Sequence, residues 1–184
     1  MRRRMMSGLV AASVLLGCGP SSDTPTSTVG EQTLLRVVLP DLSGMHGSVQ
    51  EQFREAHESL TALESGRRAD PRERSDAYGQ LGKLLMAAEY LDVAERCFRN
   101  AQLLATDDFR WPYYLGHLFE KKGDLAKTAE YFEQALQIRP ADFAALTWLV
   151  QTYIDLGQLE QAERLLAKTR SLHPDTQVVL FQQG

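Results

Sequence analysis

The chain has 184 residues, 43% hydrophobic and 24% charged, with 7 prolines, 13 glycines and 2 cysteines. That is one domain of ordinary size, globular in balance, and neither collagenous nor disordered. Two cysteines exclude a disulfide-dense mini-scaffold and a four-cysteine zinc site, and 20 basic against 24 acidic residues leave no nucleic-acid footprint in the net charge of −4.

Arg2, Arg3 and Arg4 precede an uncharged run over residues 5–16, rich in Leu, Val and Ala. As a helix that run measures ~18 Å, well short of the ~30 Å hydrocarbon core of a bilayer. A basic flank, a short apolar stretch and then small residues make the layout of a secretory signal. The run ends Leu15-Leu16-Gly17-Cys18, which resembles the lipobox of bacterial lipoproteins. The resemblance implies that residues 1–17 are a signal peptide that is removed. It also implies that the Cys18 thiol receives a diacylglyceryl group and acyl chains of the palmitate class. Membrane attachment is expected through that lipid only, with no other cofactor. Gly19, rather than Asp, follows the cysteine, which in this resemblance implies the outer membrane, facing the periplasm, where the cell has one. Loss of three arginines leaves 17 basic against 24 acidic residues, about −7, and Cys97 as the remaining thiol. A nucleic-acid partner becomes less tenable still.

Residues 18–47 hold a polar Gly-Pro-Ser-Thr tether and then Leu34-Leu-Arg-Val-Val-Leu39-Pro40-Asp-Leu42. The tether composition cannot bury a core. The second piece is β-branched, apolar and closed by proline, so it reads as extended. It is expected along the outside of the following helix, with occupancy of a binding groove as the alternative. Residues 48–66 read as a capping helix. Ser48 and Glu51 match a capping box, Val49, Phe53, Ala56, Leu60 and Leu63 repeat at steps of four and three, and Gly66 closes it.

Downstream, the sequence repeats every 34 residues. Gly82 and Gly116, Gly123 and Gly157, Ala101 and Ala135, and Pro140 and Pro174 all keep that step, as do Phe98, Phe132 and Leu166. Asp70-Pro71 offers an N-cap followed by proline in the first turn. Helices are predicted over residues 71–90 and 92–104, then 111–122 and 125–138, then 142–156 and 159–172, with the second and third pairs bent at Gly123 and Gly157.

This pattern resembles the tetratricopeptide repeat. Its positions 7 and 8 (Leu-Gly), 20 (Ala), 24 (aromatic), 27 (Ala) and 32 (Pro) are met by Leu81, Gly82, Ala94, Phe98 and Ala101 in a repeat over residues 75–108. Leu115, Gly116, Phe132, Ala135 and Pro140 meet them over residues 109–142, and Leu149, Ala162, Leu166 and Pro174 over residues 143–176. Departures are Thr106 for proline, Pro112 and Thr128 in the second repeat, and Val150 and Thr169 in the third. The resemblance implies an all-α, right-handed solenoid of three helix pairs, because one pair cannot bury its apolar face alone. Residues 177–184 are either a C-terminal cap or the start of a fourth repeat.

No catalytic constellation is legible. His46, His57, His117 and His173 lack metal-ligand spacing, and there is no phosphate loop or nucleophile elbow. Cys97 sits mid-helix beside Phe98 and reads as a packed thiol. An enzyme is not expected. The repeat resemblance implies instead that the first helix of each pair lines a concave groove. At its positions 2, 5, 9, 12 and 13 the chain offers Asp76, Lys83 and Met86; then Arg110, Tyr113, His117, Glu120 and Lys121; then Thr147, Gln151, Ile154 and Asp155. The functional expectation is a membrane-anchored adaptor or scaffold that binds a protein or peptide partner in the bacterial envelope. The alternatives are a self-associating structural lipoprotein, and an accessory subunit of an envelope enzyme or of a pilus or outer-membrane assembly machine.

Overall fold

Aspartates start three of the helices. Asp70, Asp124 and Asp142 each accept a backbone N–H of the first turn, from Arg72, Lys127 and Ala145 respectively. The computed structural model describes residues 33–66 and 70–174. Among these are helices α1 (Gly47–Ser65), α2 (Pro71–Ala87), α3 (Leu91–Leu104), α4 (Arg110–Lys121), α5 (Leu125–Ile138), α6 (Phe143–Asp155) and α7 (Leu159–Leu172), and no strand. The signal segment, Cys18, the upstream tether and residues 177–184 lie outside the described residues. No described helix is long and apolar enough to cross a membrane.

The helices pack in chain order, as pairs α2–α3, α4–α5 and α6–α7, with α1 laid against α2. Repeat position 8 shows why the pairs close so tightly. A Cβ on Gly82 would lie 2.8 Å from the Phe98 ring, and one on Gly116 would lie 2.8 Å from the Phe132 ring. In these two pairs the aromatic of the second helix thus occupies space that only glycine on the first helix vacates. In the third pair both members change together, to Val150 and Leu166. Thr128 and Thr169, at alanine positions, are buried but return their hydroxyls to the carbonyls of Asp124 and Leu165. Neither leaves a polar atom unpaired.

The bend inside each pair uses one left-handed residue at the same repeat position: Glu89 (φ 63°), Gly123 (φ 74°) and Gly157 (φ 72°). Two pairs supply glycine, which carries no Cβ penalty there; the first pair supplies glutamate.

One apolar core runs from Phe53 and Leu60 of α1 through α2 and α3 to Trp111 and Phe119 of α4. A second gathers Phe109, Phe132, Ala135, Ala145 and Leu149. Tyr78 ties α1 to α2 by donating to the Glu64 carboxylate. One local feature differs from expectation. The N-cap of α1 is His46, whose Nδ1 faces Ser48, and Glu51 pairs with Arg54 instead of closing a capping box. Gly66 closes α1, as the sequence suggests, with φ −76°.

Residues 33–42 are extended and lie along α3. Leu35 N–H donates to Asn100 Oδ1 at 2.7 Å, and Asn100 Nδ2 donates to Leu35 O at 2.8 Å. Arg96 reaches Arg36 O, and Tyr90 Oη donates to Asp41 O at 3.0 Å. The segment therefore runs antiparallel to the second helix of the first pair, and its hydrogen bonds go there and not to α1, along which it was expected. The α2–α4–α6 side, where a groove ligand would sit, supplies none of these bonds.

Candidate interaction face

The first helices α2, α4 and α6 are linked to one another through side chains. Asp76 and Arg110, at the same position of successive repeats, form an ion pair at 2.6 Å. The Lys83 ammonium lies 6.0 Å from the centre of the Tyr114 ring, and the His117 ring meets Trp148 edge-on at 4.7 Å. These contacts place the three helices on one continuous face.

At its middle is an aromatic row. Tyr114 stacks on Phe98 at 5.3 Å and meets Tyr113 at 6.3 Å. Tyr113 meets His117 edge-on at 4.6 Å, and both lean on Phe132, at 5.8 and 5.1 Å. Phe132 in turn stacks on Trp148 at 6.3 Å. Trp148 remains 37% exposed, so this end of the row is open to solvent. Edge-to-face geometry sets the positive ring edge of one partner against the negative face of another. Burial lowers the His117 imidazole to about 4, so it is neutral at pH 7. Burial likewise raises the Tyr113 phenol. His117 and Tyr113 thus present neutral rings to their neighbours at pH 7.

Charges flank it and are largely matched. Arg110 is held by Asp108, with Nε at 3.0 Å and Nη2 at 2.5 Å, as well as by Asp76. Lys121 pairs with Glu89 at 2.8 Å, and Gln151 Nε2 donates to Asp155 at 2.9 Å. Glu120 is exposed and makes no ion pair among the described residues. Met86 packs against the main core, and Ile154 is half-buried on α6. Of the residues predicted for the groove, the structure joins Tyr113 and His117 directly, sets Lys83 beside the same aromatic row, and turns Arg110 and Lys121 toward carboxylates of the chain itself. Cys18 lies outside the described residues.

Sequence reasoning missed Tyr114 and Trp148. They are 34 residues apart, at repeat position 6, and that aromatic recurrence was a signal available in the sequence. Among the described residues no group of three or more His, Cys, Asp or Glu is placed to hold a metal ion. Cys97 is fully buried, and burial pushes its thiol up to about 12.

Such a helix-pair array with small-residue seams has the α-solenoid fold of tetratricopeptide-repeat proteins. The tetratricopeptide repeat family model matches residues 120–182. Among curated proteins, the BBSome complex member BBS4 of Bos taurus is 29% identical over 104 residues, 56% of this chain and 20% of that protein. The chain therefore spans about a fifth of that relative's length. Among solved structures, MamA aligns with a TM-score of 0.58 and 18% identity over 72% of this chain and 68% of its own. YrrB, described as a TPR protein with an unusual peptide-binding site, aligns with a TM-score of 0.54 and 22% identity over 70% of this chain and 64% of its own. At these identities the likeness is one of fold.

Proposed function

We propose that this protein is a lipid-anchored adaptor of the bacterial cell envelope that holds a protein or peptide partner on the face formed by α2, α4 and α6. The observation that carries the binding half is the aromatic row Tyr114, Tyr113, His117 and Trp148 across two successive first helices. Rigid aromatic side chains offer large contact area at low entropic cost and dominate binding hot spots. The peptide-binding description of YrrB supports the same reading by analogy of fold. The anchoring half is supported by Arg2–Arg4, the short apolar run and Cys18, with the outer membrane as the destination.

Crosslinked pull-down from intact cells tests the binding half. Tyr113→Ala with Trp148→Ala should remove the captured partner while leaving helicity intact; an unchanged set of partners sinks the assignment of this face. For the anchor, Cys18→Ser should move the protein from the membrane to the soluble fraction. Tight membrane attachment of that variant sinks lipidation at Cys18.

A further inference from the structure

The extended segment along α3 is held in the manner of a ligand. Asn100, fully buried, spends both polar atoms of its amide on the backbone N–H and C=O of Leu35, a residue 65 positions away. Side chains, through Arg96 and Tyr90, also supply the remaining polar ties, to the carbonyls of Arg36 and Asp41. No backbone-to-backbone hydrogen bond joins residues 33–41 to a helix among the described residues. Recognition of the segment is therefore by a backbone clamp plus apolar contact.

The apolar contact has a readable pattern. Leu34, Val37, Leu39 and Leu42 are half-buried against the main core, while Leu35 and Val38 point outward, 40% and 56% exposed. None of the inward four reaches full burial. The same repeat position carries Gln134 and Lys168 in the other pairs, and Gln134 bonds Gln102 and Glu130 instead of a passing backbone. Among the described residues, the clamp thus belongs to the one pair that has an extended chain to hold. Downstream, residues 42–46 turn through Gly44, where an added Cβ would touch nothing within 4 Å, so the segment is joined to α1 by a short, uncrowded link.

We propose that the second-helix side of the first pair, centred on Asn100, is a binding site for an extended apolar peptide, filled in cis by residues 34–42. Its ligand class is a strand-like segment with apolar side chains spaced as Leu34, Val37, Leu39 and Leu42, and with a free backbone N–H and C=O at the position after the first. This site is separate from the aromatic face, and it does not depend on the anchor. The covalent link gives the cis segment a high effective concentration, in the millimolar range for short links. A peptide in trans therefore enters only where the cis segment has been weakened.

The test uses the full-length chain and a fluorescently labelled peptide of residues 33–44, read by anisotropy. The variant Leu34→Asp/Val37→Asp/Leu39→Asp, which expels the cis segment, should bind the peptide saturably and about tenfold or more tighter than wild type does. Adding Asn100→Ala should then weaken binding about tenfold or more, because both amide bonds are lost. A second route cuts the chain after folding, at a protease site placed between Ser43 and Gly44, and follows exchange of the cut segment for the labelled peptide. The proposal is overturned by failure of both routes to bind peptide while wild-type helicity is retained. It is equally overturned by binding that a scrambled peptide matches or that Asn100→Ala leaves unchanged.

Discussion

Substituting Gly116 by alanine tests the seam on which both fold and face depend. The new Cβ would lie 2.8, 2.9 and 2.9 Å from three atoms of the Phe132 ring, against a normal carbon–carbon separation of ~3.5–4.0 Å. The ring has little room to retreat, because Tyr113, His117 and Trp148 lean on it at 5.8, 5.1 and 6.3 Å. Overpacking of this kind costs ~1–3 kcal/mol, and the helix-propensity gain of Gly→Ala returns up to ~1 kcal/mol. The net expectation is a loss of ~1–2 kcal/mol, a fall in Tm of roughly 2–8 °C at this chain length. Phe132→Leu alone should also destabilise, by leaving a cavity. Combined with Gly116→Ala it should recover at least ~1 kcal/mol relative to additivity, since the third pair already matches Val150 with Leu166. Urea unfolding followed by circular dichroism on the four proteins of this cycle gives the coupling. Strictly additive losses, or a stabilised Gly116→Ala, would refute the reasoning that ring and glycine share one space.

Three further outcomes are expected. Glu89→Gly should raise stability by ~0.5–1 kcal/mol in thermal melts, because φ 63° is costly for a residue with a Cβ and the exposed pair with Lys121 contributes little; a destabilised variant would show that the ion pair outweighs the backbone. His117, lowered to about 4 by burial from an ordinary value of 6.5, binds fewer protons folded than unfolded. Its contribution is complete above pH ~6.5 and lost as pH falls toward 4, so unfolding free energies from urea titrations should drop across that window by up to ~3 kcal/mol and His117→Phe should flatten the drop. A histidine resonance of His117 titrating near 6.5 in the folded protein would contradict this. Cys97, pushed up to about 12, should resist a thiol reagent at pH 8 in the folded protein and react fully in denaturant; rapid native-state labelling would show that its seam opens.

Much of the architecture was legible because its determinants are local or strictly periodic. Asp70 caps α2 just ahead of Pro71, as that dipeptide announces, and the 34-residue spacing of Gly82 with Gly116 marks the close approaches in the sequence alone. The face was legible only in part. Tyr113 and His117 were found from their repeat positions, yet Tyr114 and Trp148 were not, since they fall one step outside the positions considered. The α1 cap was misread because His46 and Ser48 both offer side-chain acceptors, and the choice between them depends on how the chain enters the helix.

What the sequence by itself determined, then, is the repeat, the helix pairing and the small-residue seams, which arise from residues close in the chain or related by a constant step. Tertiary structure alone decided the remainder. Arg110 and Lys121 look like free cations in sequence, but neighbouring repeats bring Asp76 and Glu89 against them. The apolar run of residues 34–42 was expected along α1 or in the groove, whereas the amide of Asn100, 65 residues from Leu35, ties it to α3. The physical reason is the same in both cases. Periodicity specifies which face of a helix is apolar, whereas the partner of a charge or of an unpaired backbone amide is set by distances that exist only once the helices have stacked.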